Sequence, residues 1–371
     1  MEKMRFKLKS IPEYNKQWAS YAPTPMHQSN PQPFTIHELE QLIGRIDRFE
    51  PEQKLDHSAT QGDLVLREAI TTLYDHSDVD RIATFAGAQE AIFCSLQALL
   101  HPNDTVAVIT PVFEPLFDTA QDIGCEIQFI PLLANKHWKI DLNKLEEVIN
   151  EDCKLLIINF PNNPTGAMIS EEELRQIIEI CDKNNCWILS DEVFRGLEYN
   201  QDDQLPSVAD LYPKAISIGV ISKAYALPAI RIGWINCQDE SVIEHAINIK
   251  LSLSICNSLL DEKLATLVIK NHRKIWDRNR KLIKNNLEKL KEFMLKENDV
   301  FDFVLPEAGS VCFPLLKNNI SASDYAEKLI KKHYLTVLPN HLFSTDQNGF
   351  RLGFGYKNNI DNLNSLVDLQ Q

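Results

Sequence analysis

The chain has 371 residues, 44% of them apolar, enough for about two domains of roughly 150 residues each and a large buried core. Its formal net charge of −14 argues against a nucleic-acid partner, because such proteins present a basic surface. No apolar run reaches the roughly 18 residues of a membrane helix, and the polar, basic start MEKMRFKLKSIPEY has no apolar stretch behind it, so neither a membrane span nor a secretory signal is expected.

The expected setting is cytoplasmic. The eight cysteines are scattered, with no CxxC pair and no Cys/His cluster at metal-ligand spacing. They read as reduced, structural thiols, and no metal site is expected.

Along the chain, residues 1 to 44 hold too few apolar side chains to fold alone. They are expected to form an arm that packs on a smaller domain and on the cleft between domains. From about residue 63 to 235 helical and strand patterns alternate. DLVLREAITTLYD (63–75) and QEAIFCSLQALL (89–100) have helical spacing. TVAVIT (105–110) and KLLIINF (154–160) are apolar runs closed by Pro111 and by PNNPTG. SEEELRQIIEICDKNN (170–185) starts with a capping box, Ser170 and Glu173. CWILSDE (186–192) and AISIGVIS (215–222) are further apolar runs. Strands buried on both faces and separated by helices imply parallel crossovers, so the expected large domain, 45–256, is an α/β layer with a mainly parallel sheet between helices.

The remainder, 257–371, reads as a smaller α+β domain joined by residues 1–44. It holds a long helical region over roughly 257–296, then FDFVLPEAGSVCFPLL, a helix near SASDYAEKLIKKH, and the strand-like TVLP and FRLGFGY. The basic run RNRKLIKNNLEKLK is the best candidate for a local basic patch, but Leu282, Ile283, Leu287 and Leu290 fall at helical spacing, which favours a solvated helix face.

Several chemistries are set aside, because the chain has no GxSxG elbow, no GxxxxGK[ST] loop, no GxGxxG and no HExxH. What remains is a set of polar residues at the ends of buried strands, where ligands bind in open α/β sheets. Gly87 and Ala88 open a helix whose first N–H groups suit a phosphate, or merely start a helix. Phe113 lies past the end of a strand, placed either to stack on a planar group or to fill the core. Asn163, in NFPNNPTG, presents an amide. Asp191 and Glu192 end the next strand, and a buried acid there needs a partner, either a helix N-terminus or a cationic heterocycle. Lys223 either snorkels to solvent or is a covalent amine with a depressed pKa. Arg231 suits a carboxylate or a phosphate dianion, and Arg351, in FRLGFGY, is either solvated or aimed at a substrate carboxylate.

Taken in order, these motifs resemble the class I/II aminotransferases, the fold-type-I enzymes that use pyridoxal 5′-phosphate. The resemblance runs from SNPQPFTIHEL to FRLGFG and is most specific in NNPTG, SDEVF and SKAYALPAIRIGW. DEVFRGLEY and SKAYALPAIRIGW also resemble a subgroup that includes capreomycidine synthase-like enzymes.

The resemblance implies a role for each residue. Lys223 would form the aldimine and shuttle the proton, and Asp191 would pair with the pyridine nitrogen. Asn163 would bond the ring oxygen O3′ and face the substrate, and Phe113 would stack on the ring. Backbone N–H groups of Ala88 and Gln89, with Ser222 and Arg231, would hold the phosphate. Arg351 would clamp the substrate carboxylate. Such enzymes are homodimers with sites at the subunit interface.

Four positions depart from the family pattern. Phe194 stands where many relatives carry a Tyr that donates to O3′, which implies a raised aldimine pKa. His57 stands where a Tyr reaches the neighbouring subunit's phosphate. Val220 replaces a Ser near the phosphate. Asn340 replaces a Gly, in a turn where Asn tolerates left-handed geometry.

The activity implied is transfer of an amino group between an amino acid and a 2-oxo acid. A lyase or cyclase on the same scaffold is the alternative. A non-catalytic cofactor sensor is disfavoured by the acidic balance and by the early start of the pattern. The QSNPQP arm and the LSLSICN loop are expected to line the cleft, in roles that the sequence leaves open.

Overall fold

The computed structural model describes residues 10–46, 52, 54–317 and 319–369. Most of the opening stretch read for a targeting signal, residues 1–9, lies outside them. No helix among the described residues is long and apolar enough to cross a membrane.

A seven-stranded sheet forms the centre. Its strands are β1 (Ile82–Phe85), β2 (Thr105–Thr110), β3 (Glu126–Pro131), β4 (Cys153–Asn159), β5 (Trp187–Asp191), β6 (Ala215–Val220) and β7 (Gly233–Cys237), in the spatial order β1-β7-β6-β5-β4-β2-β3. Strands β2 to β6 pair in parallel, while β7 runs antiparallel to both β6 and β1. Every residue of β5, β6 and β7 is buried, as a sheet covered by helices on both faces requires.

The covering helices include α1 (Leu64–Thr71), α2 (Ala88–Leu99), α3 (Glu171–Lys183) and α4 (Glu240–Leu251). Ser170 caps α3 through its hydroxyl, and the Glu173 side chain returns the bond, so both partners of the box read from sequence are formed.

Three strands escaped the sequence reading, for different reasons. β3 is an edge strand with mostly exposed side chains, so it lacks an apolar run. β1 has four residues and sits just before a turn. β7 continues the apolar stretch after Lys223 and reads as part of it.

The C-terminal helical region is two helices, α5 (Leu259–Lys270) and α6 (His272–Lys296), broken where the Asn271 side chain bonds the Leu267 carbonyl. In α6 the residues Ile283, Leu287 and Leu290 are buried and the lysines face water. Beyond it, β8 (Val311–Cys312), β9 (Leu338–Pro339) and β10 (Phe350–Gly353) form an antiparallel sheet in the order β8-β10-β9. Helix α7 (Ala322–His333) packs on it, with Tyr325 stacked on Phe350 at 5.0 Å.

The N-terminal arm is bound to this part by main-chain bonds. Thr24 and Pro25 pair in parallel with Leu335 and Thr336. Met26 N donates to Thr336 O, Gly353 N to Met26 O and Gln32 N to Gly355 O. A Cβ on Gly353 would meet the Gln28 carbonyl oxygen at 2.1 Å, so glycine is what admits the arm there.

Asn340 corrects an expectation. It is not left-handed; it opens the short turn Asn340–Phe343 and bonds the Thr345 carbonyl, while Ser344 takes the left-handed position at φ 53°.

Candidate active site

The parallel strands end along one rim of the sheet, and their register sets residues side by side. Asn159 of β4 pairs with Asp191 of β5, which pairs in turn with Ile218 of β6. Lys223 follows β6 by three residues.

The asparagines of NFPNNPTG divide the work. Asn159 donates to the Asp191 carbonyl and accepts from Asn163 N. Asn162 accepts from Thr165 and donates to the Pro111 carbonyl. Both are structural, and they fix the backbone so that the Asn163 side chain faces the cleft.

Asp191 and Glu192 point opposite ways, as neighbours leaving a strand do. Glu192 Oε1 accepts from Val208 N at 2.9 Å, Ser217 Oγ at 2.7 Å and Ser207 Oγ at 3.2 Å, so it is locked into the core behind the sheet. Asp191 is 4% exposed, and the one hydrogen bond to its carboxylate among the described residues comes from Val193 N at 3.1 Å. Burial pushes its carboxyl up to about 7, against the pull of Val193 N–H and Lys223. A buried acid with so little compensation is suited to a cationic partner.

Lys223 is half-buried, and its Nζ lies 2.6 Å from Ser29 Oγ and 6.0 Å from the centre of the Phe194 ring. Burial pushes its amine down to about 8; Arg351 and Arg231 act in the same direction and Asp191 opposes them. The lowered pKa gives the amine a larger neutral fraction near physiological pH than an ordinary lysine has, which favours a nucleophilic role.

Arg351, on β10, is 5% exposed. Its Nη1 donates to Asn163 Oδ1 at 3.0 Å and its Nη2 to the His27 carbonyl at 2.9 Å, while Nε is buried without a partner. Burial alone pulls the guanidinium down to about 9. Among the described residues no carboxylate pairs with it. Unpaired buried charge is costly, so the arrangement fits an incoming anion.

Arg231, Gly87, Ala88 and Gly233 converge on a second corner. A Cβ on Gly87 would meet Arg231 Nη2 at 2.5 Å, and one on Gly233 would meet Ala88 N at 2.6 Å. Two glycines thus let a guanidinium and the start of α2 come together. The first turn of α2 has no side-chain cap, which leaves the N–H groups of Ala88 and Gln89 for another acceptor. Arg231 is exposed and donates to the Pro228 carbonyl at 3.1 Å. Ser222 is half-buried beside Lys223, and Val220 is buried in β6.

Phe113 is half-buried just past β2, and Phe194 is 1% exposed. His57 is not part of this cluster. It is exposed, with its Nδ1 3.8 Å from Asp56 Oδ1.

Two functional candidates escaped the sequence reading as individuals, His27 and Ser29. His27 is kept neutral, its pKa pulled down to about 4 by burial and by Arg351, against the Thr336 carbonyl. Ser29 lies in the QSNPQP stretch expected to line the cleft and His27 just before it, but a serine among prolines and glutamines has the composition of an ordinary turn. Among the described residues, no group of His, Cys, Asp and Glu could hold a metal ion.

The family model for class I and II aminotransferases matches residues 36–366. Capreomycidine synthase from Streptomyces vinaceus is 26% identical over 79% of this chain and 75% of its own length. A probable aspartate aminotransferase from Methanocaldococcus jannaschii is 28% identical over 80% of each. Among solved structures, a PLP-dependent aminotransferase from Streptococcus suis superposes with a TM-score of 0.89 over 98% of both chains at 26% identity. The PLP-dependent cyclase OrfR reaches the same TM-score of 0.89 over 100% of both chains at 21% identity, a likeness of fold alone.

Proposed function

The chain belongs to the class I and II aminotransferase family, and on that premise we propose that it is an aminotransferase moving an amino group between an amino acid and a 2-oxo acid. The fold is that of the fold-type-I enzymes, and the cofactor is pyridoxal 5′-phosphate.

The residues present fit that group. Asp191 is a buried acid with one backbone donor, and the glycines at 87 and 233 open a cradle that any Cβ would fill. When bound, the cofactor supplies an aldehyde carbon that amines attack and a ring that takes up the electrons of a broken Cα–H bond.

The chain's own part is as follows. Lys223 holds the cofactor through its amine and moves the proton taken from the substrate α-carbon, at Nζ. Asp191 keeps the ring nitrogen protonated. Asn163 orients the ring oxygen and borders the substrate, and Phe113 covers a ring face. The Ala88 and Gln89 N–H groups, Ser222 and Arg231 hold the phosphate. Arg351 fixes the substrate carboxylate, and its unpartnered Nε is the donor that such a ligand would satisfy.

The observation that carries the reading is one cleft with a lysine of lowered pKa, a buried acid and a buried guanidinium that no carboxylate pairs among the described residues. A spectral screen of the loaded enzyme against a panel of amino acids tests it. Reactive donors should bleach the visible band, and Lys223→Ala should lose both the band and all turnover. Retained transamination in Lys223→Ala would refute the assignment.

The second reading, a lyase or cyclase, is favoured by the likeness to capreomycidine synthase. Stoichiometric formation of pyridoxamine phosphate from an amino donor supports transfer. Ammonia or a cyclised product without it supports the other reading.

We also propose a division into a large cofactor domain, 45–256, and a smaller one made of 1–44 and 257–371. The pairing of the arm with Leu335–Thr336 supports it. A homodimer is supported by Leu64, Val65, Leu253 and Ile255, each 47–52% exposed, on segments that flank His57 and the end of α4. There His57 would reach the phosphate held by a second copy. Eight free cysteines, six of them buried, support a reducing, cytoplasmic setting.

A further inference from the structure

Lys223 Nζ and Ser29 Oγ are 2.6 Å apart across 194 residues of sequence. Ser29 is 7% exposed, and among the described residues its hydroxyl is the one hydrogen-bond partner of the lysine amine. The amine makes no ion pair there either. The charged groups that act on it are Asp191 from β5, Arg351 from β10 and Arg231 from its own loop; His27, on the arm, stays neutral.

Ser29 is not held to Lys223 by chance of a mobile arm. Met26 and Gln32 bracket it with main-chain bonds to Thr336, Gly353 and Gly355. Arg351 grips the carbonyl of His27, two residues away. The serine is therefore presented by a backbone that is tied on both sides.

We propose that Ser29 is the positioning residue of Lys223, its hydroxyl accepting from the ε-ammonium and donating to the neutral ε-amine, so that the nitrogen stays in place while its proton comes and goes. This rests on the reading of Lys223 as the cofactor lysine. The chemistry of a hydroxyl permits it, since it is both donor and acceptor. A carboxylate at this point would lock the ammonium form. An alanine would leave a long, flexible side chain to find its own direction. In the proton transfer, Nζ takes a proton from one carbon and gives it to another. Ser29 exchanges no atom; it changes only which partner supplies the hydrogen of the shared bond.

The test begins with cofactor-free enzyme and pyridoxal 5′-phosphate. A visible band in the wild type that Lys223→Ala lacks upholds the reading of Lys223; absence of the band in the wild type is a failure of that reading and not of the role of Ser29. The pH dependence of acetylation of Lys223 by acetic anhydride, read by peptide mass spectrometry in the cofactor-free protein, then isolates the serine. Bonds to a charged group are about twice as strong as neutral ones, so Ser29→Ala should lower the Lys223 pKa by about one unit. Ser29→Thr should restore it. Where Ser29→Ala does not fold, Ser29→Cys, close in size and a poor acceptor, gives the same shift. In the loaded enzyme, deuterium exchange at Cα of the amino acid that exchanges fastest should slow about tenfold or more in Ser29→Ala, with cofactor affinity within about twofold of wild type. A Lys223 titration unchanged by Ser29→Ala overturns the proposal, whatever happens to turnover.

Discussion

At the scale of single residues, Asp191 and Arg351 are buried, and among the described residues neither makes an ion pair. Asp191 gives this a measurable form. In the cofactor-free protein its carboxyl titrates at about 7, against 3.8 as the ordinary value, so the folded state holds the proton more tightly than the unfolded one. The stability it contributes is fully present below about pH 4 and is lost as pH rises towards 7. Asp191→Asn removes that titration. Urea denaturation of the two apoproteins should show the variant gaining on the wild type from pH 4 to 7 and levelling off above, with an upper bound of about 4 kcal/mol. Parallel pH profiles would count against it. Phe194 supplies a second test. Its ring lies 6.0 Å from Lys223 Nζ, where relatives place a phenol that donates to the ring oxygen. Phe194→Tyr should lower the pH midpoint of the loaded enzyme's visible absorbance; an unchanged or higher midpoint refutes the role given to the missing hydroxyl. Lys223, Asp191, Asn163 and Arg351 stood out in the sequence through motifs that resemble the family, since the side chains alone left structural uses open, as Asn159, Asn162 and Glu192 at the same strand ends illustrate. Ser29 and His27 did not, because their meaning comes from a contact made across the whole chain.

At the scale of elements, a buried polar network around Thr84 ties the segment after His57 to the helices behind it. Glu262 of α5 is fully buried and accepts from Ser58 Oγ, Asp63 N, Thr84 Oγ1 and Asn257 Nδ2. Lys250 of α4, also fully buried, donates to the carbonyls of Thr60 and Thr84 at 2.7 Å each. Burial pulls its amine down, and Glu262 opposes that pull. Removing the Glu262 carboxylate leaves the buried Thr84 and Asn257 donors unsatisfied, so Glu262→Ala should cost about 1–3 kcal/mol in denaturant unfolding, and a loss below about 0.5 kcal/mol would show that the network is solvated. The sequence hid this network, since Lys250 and Glu262 sit in helical patterns where charged residues ordinarily face water. The buried strands β2, β4, β5 and β6 were legible from their apolar runs alone, whereas β3, with its outer face in water, has no such run.

At the scale of the whole molecule, the cleft draws residues from the arm, three strand ends and the C-terminal sheet, so no fragment of the chain carries a complete site. The exposed apolar side chains at 64, 65, 253 and 255 are the place to test assembly. Leu253→Lys with Ile255→Lys should halve the mass measured by analytical ultracentrifugation and weaken cofactor retention; an unaltered mass would move the interface elsewhere. The arm has one more consequence. Because Thr24, Met26 and Gln32 are pinned through their backbone, and Gly353 makes room for a main-chain oxygen, the path of residues 27–30 depends little on which side chains they carry. Such a segment is an exchangeable cassette. A saturation library at positions 27 and 30, with Ser29 kept for its contact with Lys223, should sample new cleft surfaces without re-founding the scaffold.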